Sequence, residues 1–189
     1  MSRSILAVEI CAKLEPGGRL HTALHRAVTS HPASASLQQK WLFYRHVIGE
    51  LLVAAPLFER GCWDYFDDDT RARADYEQWV GGMVTEEGAR PSPSGNDPYR
   101  GETRYLTFTM AFLLLQNSPS DLAVRRLCDI PEPALWQRAT FHRILSGMGV
   151  LNFASVQSDV AYLIPRDVGW GLTREDLAQP KFDYLRPLV

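Results

Sequence analysis

A mixed α+β domain, with a small sheet of about three strands covered by about five helices, is the fold this 189-residue chain predicts. Three stretches alternate apolar and polar residues with period two, the spacing of a strand with one buried face. The material between them has helical periodicity, bounded by Gly, Pro, Ser and Asp. No repeat, linker or shift of composition divides the chain, so residues 1–189 read as one domain.

The first alternating stretch runs from Ile5 to Leu14, with Leu6, Val8, Ile10, Ala12 and Leu14 opposed by Glu9, Cys11 and Lys13. After Gly17-Gly18 a short helix carries Leu20, Leu24, Ala27 and Val28 on one side and ends at His31-Pro32. A longer helix is expected from Ser36 to Arg60, its stripe formed by Leu37, Trp41, Tyr44, Ile48, Leu51, Leu52 and Ala55. Pro56 falls inside it and predicts a kink or a break. A third helix is expected over about 69–84, with Tyr76, Trp79, Val80 and Met83 inward.

Residues 86–101, EEGARPSPSGNDPYRG, read as an irregular loop. The second strand, Arg104 to Leu115, sets Leu106, Phe108, Met110, Phe112 and Leu114 against Tyr105, Thr107 and Thr109. From Ala111 onward it is apolar on both sides, which places it centrally in the sheet. Ser118-Pro119-Ser120-Asp121 opens a helix to about Cys128, and Pro131 and Pro133 begin another that ends near Gly147 and Gly149. The third strand, Ala154 to Ile164, sets Ala154, Val156, Val160, Tyr162 and Ile164 against Ser155, Gln157 and Asp159. A proline, a Gly-Trp-Gly turn and a helix N-capped by Thr173 close the chain. The second and third strands can pair in parallel through a right-handed crossover or antiparallel; the sequence leaves both open.

Lys and Arg number 20, Asp and Glu 22, and the net charge of -2 offers no long-range attraction for nucleic acid or an anionic membrane. The basic residues are scattered rather than gathered on one face, so no nucleic-acid partner is expected. The most apolar stretch, Leu106 to Leu115, is about half the roughly 20 residues a spanning helix needs. With no signal peptide read at its start, the chain is expected to be cytoplasmic, without membrane insertion. Cys11, Cys62 and Cys128 are odd in number, far apart and without zinc spacing, and they read as structural.

Each chemical motif has a plain structural explanation. His21 and His25 share a helix face, yet Thr22 stands where a zincin carries Glu, and the pair reads as solvated surface histidines. The run Asp64, Asp67, Asp68, Asp69 fails the spacing of a calcium loop; Asp68 or Asp69 fits an N-cap, with Arg71 and Arg73 as partners. No nucleophile elbow, P-loop or dinucleotide fingerprint occurs, so no catalytic, metal or cofactor-binding residue is assigned and no cofactor is implied. Trp170 on its glycine-flanked turn, beside Arg166 and Asp167, is the candidate contact for a partner, since interfaces favour Trp and Arg. Its competing role is a lid over the end of the sheet.

In the order and character of its segments the chain resembles an uncharacterised family, the domain of unknown function fifteen-seventeen. VEICAKLEPGGRLHTALHRAVTS is similar to that family's strand and short helix, and LQQKWLFYRHVIGELLVAAPLFERGCWDY to its long helix with an aromatic-rich end. RYLTFTMAFLLL resembles its central strand, and SVQSDVAYLIPRDVGWGLTREDL its last strand, proline and Leu-Thr-x-acidic-acidic-Leu ending. Phe182, Tyr184, Leu185 and Leu188 resemble the tail that follows. The resemblance brings no activity or catalytic set with it. Members often carry membrane-spanning or Gly-rich leader segments; none is read in these residues, so no membrane role is expected.

The resulting expectation is a non-enzymatic adaptor or scaffold that works through protein contacts and self-association, with the first or last strand as an exposed edge. The alternative is an enzyme or small-ligand binder with a pocket between helices and sheet. In that case His46, Cys62, Asp64 or His142 would line it.

Overall fold

The computed structural model describes residues 2–32, 34–85 and 102–189; the loop expected at 86–101 lies outside the described residues. Among the described residues five strands form one antiparallel sheet: β1 (Arg3–Leu14), β2 (Phe58–Phe66), β3 (Arg104–Leu115), β4 (Val156–Ile164) and the two-residue β5 (Arg186–Pro187). Their order is β4-β3-β1-β2-β5. Five α-helices of the described residues accompany them: α1 (Leu20–Ser30), α2 (Leu37–Val53), α3 (Asp69–Thr85), α4 (Pro119–Leu127) and α5 (Arg138–Gly147). The α+β class is therefore as expected, while the sheet has five strands rather than about three.

Helices α1, α2, α4 and α5 cover one face of the sheet. There Leu6, Val8, Ile10 and Ala12 of β1 and Leu106, Phe108, Met110, Phe112 and Leu114 of β3 meet Leu24, Tyr44, Leu51, Val124, Phe141 and Ile144. The second face is also covered, in two pieces. Helix α3 packs Ala72, Tyr76 and Trp79 over Ile5, Ala7, Ala111 and Leu113. The C-terminal segment packs Leu172, Leu177, Phe182 and Leu185 over Cys11, Tyr105 and Ile164. The sheet thus has two buried faces, where period-two patterning predicts one.

The long helix ends early. Ser36 and Gln39 form a reciprocal capping box at the start of α2, and the helix stops at Val53 before a 3-10 turn, Ala55–Leu57, that contains Pro56. The chain then becomes β2, which antiparallel-pairs with β1 from Ile5↔Phe66 to Ala12↔Phe58. Gly61 is required inside β2, because a Cβ there would lie 2.5 Å from a ring carbon of Phe141. The buried face of α2 is Tyr44, Val47, Ile48 and Leu51, whereas Leu37 and Trp41 of the expected stripe are 54% and 38% exposed. Trp41 is instead covered on one side by the Arg45 guanidinium, 4.9 Å from its ring centre.

β3 lies inside the sheet as expected, and its partner β4 runs antiparallel to it. The register shifts between Leu113↔Ser158 and Leu114↔Val156, leaving Gln157 as an extra residue. This bulge reverses the in-out phase of β4. Asp159, Ala161 and Leu163 face the four-helix layer, and Val160, Tyr162 and Ile164 face the second side. β1 lies in the centre rather than at an edge; β4 is the long edge strand. After the cis peptide Ile164–Pro165, the chain returns at Leu172 to pair with Tyr105. The segment after Thr173 forms two 3-10 turns, Asp176–Ala178 and Pro180–Phe182, in place of the expected helix, although Thr173 and Asp176 cap each other as the sequence indicates.

Candidate functional site

The register places unlike residues side by side on the second face. Reading across β2, β1, β3 and β4, Cys62, Glu9, Thr109 and Tyr162 form one row. The next row is Arg60, Cys11, Thr107 and Ile164, and the one before it Asp64, Ala7, Ala111 and Val160. The Glu9 row falls at the seam between the two covers, where Cys62 and Tyr162 at its ends pack against the C-terminal cluster and Glu9 and Thr109 lie between them. Tyr184 from the C-terminal segment and Trp79 from α3 meet there edge to face, with ring centres 6.1 Å apart.

Glu9 is fully buried in the central strand, and its Oε2 accepts a hydrogen bond of 2.8 Å from the Tyr184 hydroxyl. Thr107 and Thr109 are fully buried too, and neither hydroxyl has a hydrogen-bond partner among the described residues. Burying a hydroxyl without a partner costs about 1–3 kcal/mol. Asp121, a second fully buried carboxylate among the described residues, is a useful contrast. It accepts from Ser4 Oγ at 2.5 Å, Tyr65 Oη at 2.7 Å and the Asn117 amide at 2.7 Å, which makes it a structural node tying α4 to the sheet.

Two further carboxylates border the seam. Burial raises Asp64 above the ordinary carboxylate range, and the negative charge of Asp75 adds to the effect while Arg71 opposes it. Burial likewise raises Asp75, which accepts a bond from Trp79 Nε1 at 3.3 Å. Burial pushes the Cys62 thiol up to about 12, with Asp64, Glu9 and Asp75 all adding to the rise and Arg186 opposing it. Burial carries Cys11 and Cys128 up to about 12 as well, so none of the three is a low-pKa nucleophile.

Of the residues proposed for a pocket, Cys62 and Asp64 come together on one face of β2, two positions apart. His46 on α2 and His142 on α5 are exposed on the opposite side of the sheet and do not join them. His21 is a correction: it is 3% exposed rather than solvated, and its Nε2–H donates to Pro165 O at 2.9 Å. His25 Nδ1–H donates to the next carbonyl, Arg166 O, at 2.7 Å. The two histidines clasp the loop that carries Trp170. Arg166 and Asp167 are exposed on that loop and Trp170 is half-buried.

The remaining acids are structural. Asp68 caps α3 through the Arg71 amide, Asp69 pairs with Arg73 at 2.9 Å, and Asp67 pairs with Arg125 at 3.0 Å. A cleft of about 270 Å³ opens beside β4 between His31, Phe43, Tyr44 and Asp159. Its charged groups already serve one another, since Asp159 accepts from both Lys40 and Tyr44. Among the described residues no group of His, Cys, Asp and Glu is placed to hold a metal ion, and no helix is long and apolar enough to cross a membrane.

The sequence points to Cys62 and Asp64 but leaves out Glu9, Thr107 and Thr109, which alternation alone puts on a solvent face. The run Ile5 to Val8, apolar on both faces, is the signal for a covered second face. Comparison of the chain with family models, with curated proteins and with solved structures finds no match to any of them.

Proposed function

We propose that this protein binds a small polar ligand at the seam of the second sheet face, over the row Cys62, Glu9, Thr109 and Tyr162. One observation carries the reading: the centre of an otherwise apolar layer holds a buried carboxylate beside two buried hydroxyls that lack partners among the described residues. Groups that cost stability and contribute nothing to packing collect at functional sites. The high thiol pKa of Cys62 favours binding over nucleophilic catalysis. A fragment screen followed by amide NMR tests this. Hits should shift Cys62, Thr109 and Trp79, and Glu9→Gln should remove them while the protein stays folded. Hits that map elsewhere, or that survive Glu9→Gln, sink the reading.

A second reading, a protein-interaction role with self-association, is favoured by the exposed Arg166 and Asp167 and the half-buried Trp170 on their clasped loop. It predicts that Trp170→Ala keeps the thermal midpoint and loses a partner, or the self-associated species in light scattering. A fall in midpoint with unchanged association instead makes Trp170 a packing residue. A cytoplasmic location and kinship with the domain of unknown function fifteen-seventeen belong to this proposal as well.

A further inference from the structure

We infer that the loop of residues 165–171, which carries Trp170, is a latch released by acid: protonation of His21 on α1 frees it. This goes beyond both readings of function above and depends on neither.

The loop is held at few points. Its near end continues β4. Its far end is fixed, because Leu172 and Tyr105 exchange backbone hydrogen bonds of 2.8 and 2.9 Å, and a Cβ on Gly171 would lie 2.7 Å from Leu14 Cδ1. Between the ends, Arg166, Asp167, Val168 and Gly169 are exposed, and a Cβ on Gly169 would meet nothing within 4 Å. Among the described residues, the hydrogen bonds that tie residues 165–171 down both come from α1. His21 Nε2–H donates to Pro165 O and His25 Nδ1–H to Arg166 O. Closure therefore depends on two imidazoles one helical turn apart.

The two are not equivalent. A carbonyl oxygen can only accept, so the neutral His21 ring carries its proton on Nε2 and keeps a lone pair on Nδ1. That Nδ1 is buried without a hydrogen-bond partner among the described residues, and the residue is 3% exposed. A second proton puts an N–H and a positive charge where no acceptor meets them, and an unpaired buried charge is costly. His25 is only half-buried and can take a proton on Nε2 while Nδ1–H keeps its bond to Arg166 O. Its charge then adds to the penalty at His21.

The groups around His21 leave that penalty in place. Burial lowers its pKa most; the Pro165 bond and Asp167 on the loop oppose the fall, and His25 adds to it. Helix α2 and strand β4 also pack against α1, and the acids they bring there, Glu50 and Asp159, are paired with Arg19 and Lys40. With the loop lifted, His21 meets water and takes its proton at the ordinary histidine value of about 6.5. The released form thus binds more protons than the closed form below that pH. Closure is held above it and lost as pH falls through the window beneath.

A 19F NMR titration of the full chain labelled with 5-fluorotryptophan tests the latch, with Trp170→Phe identifying one line among those of five tryptophans. Between pH 6.5 and 5.5 the ratio of released to closed loop should rise by up to about tenfold, the limit for one proton. The Trp170 line should report this while the rest hold still. His21→Gln keeps a donor for Pro165 O and takes no proton, so its Trp170 line should stay at the neutral-pH position; His25→Gln should keep the transition. Where His21→Gln fails to fold, the ring 15N spectrum of the unsubstituted protein decides. His21 should show the Nε2–H tautomer at pH 7.5 and titrate together with the Trp170 line. A Trp170 line that stays still, or that moves equally in His21→Gln, overturns the latch. So does a transition lost in His25→Gln, or a His21 that titrates apart from the Trp170 line. Movement of all the tryptophan lines together makes the event unfolding of the whole domain and overturns it as well.

Discussion

Asp64 and Asp121 show how two carboxylates in one fold come to differ. Asp121 is fully buried yet receives three hydrogen bonds, from a serine, a tyrosine and a backbone amide. Asp64 faces the seam, where burial and Asp75 raise its pKa. A carboxyl whose folded pKa lies above its unfolded value binds more protons in the folded state. Its cost is therefore absent below the unfolded pKa of about 3.9 and fully present once the pH exceeds the raised folded value. Asp64→Asn should raise the thermal midpoint at pH 7 and leave it unchanged at about pH 3.5. A scan in which the midpoint falls at pH 7 would mean that Asp64 is a paired, stabilising group.

At the scale of elements, the contact between α1 and the loop after β4 depends on two imidazoles that donate to successive carbonyls. Burial lowers the pKa of His21; the Pro165 bond and Asp167 oppose the fall, and His25 adds to it. The folded state then binds fewer protons than the unfolded one below about pH 6.5, so stability is held above that pH and lost as pH falls through the window beneath it. Burial lowers His31, on the other side of α1's end, in the same direction. His21→Gln keeps a donor for Pro165 and should flatten the acid limb of a midpoint-against-pH curve. An unchanged acid limb would assign the loss to His31 or to carboxylates.

The elements also differ in how far the sequence discloses them. β1, β3 and the helices α1, α3 and α4 follow their periodicity and caps closely, because Ser118, Asp68 and the alternating β1 core are local signals. β2 is hidden, because Phe58, Gly61, Trp63 and Tyr65 on one face and Cys62, Asp64 and Phe66 on the other leave no polar side to alternate with. The phase of β4 is equally hidden, since a bulge at Gln157 leaves no mark in hydropathy. The candidate site depends on both. Only the pairing of Cys62 and Thr109 with Glu9 makes a row of them, and register between strands some 50 and 100 residues apart along the chain is a tertiary fact.

For the whole molecule, the layered order makes the last six residues part of the fold. Leu188 N–H donates to Glu59 O, Val189 N–H to Trp136 O and Arg138 N–H to Val189 O, so the C-terminus ties β2 to the helical layer. Leu185 and Leu188 are 3% and 6% exposed, and they fill opposite sides of the sheet. Burying two such side chains contributes roughly 3–6 kcal/mol, against a total stability of about 5–15 kcal/mol for a domain of ordinary size. A chain ending at Asp183 should therefore lose at least about 3 kcal/mol in urea denaturation followed by circular dichroism. Tyr184→Phe, which removes the hydrogen bond to Glu9, should lose less, about 2 kcal/mol. A truncated chain with an unchanged urea midpoint would separate this segment from the cooperative fold, and with it the cover that buries Glu9.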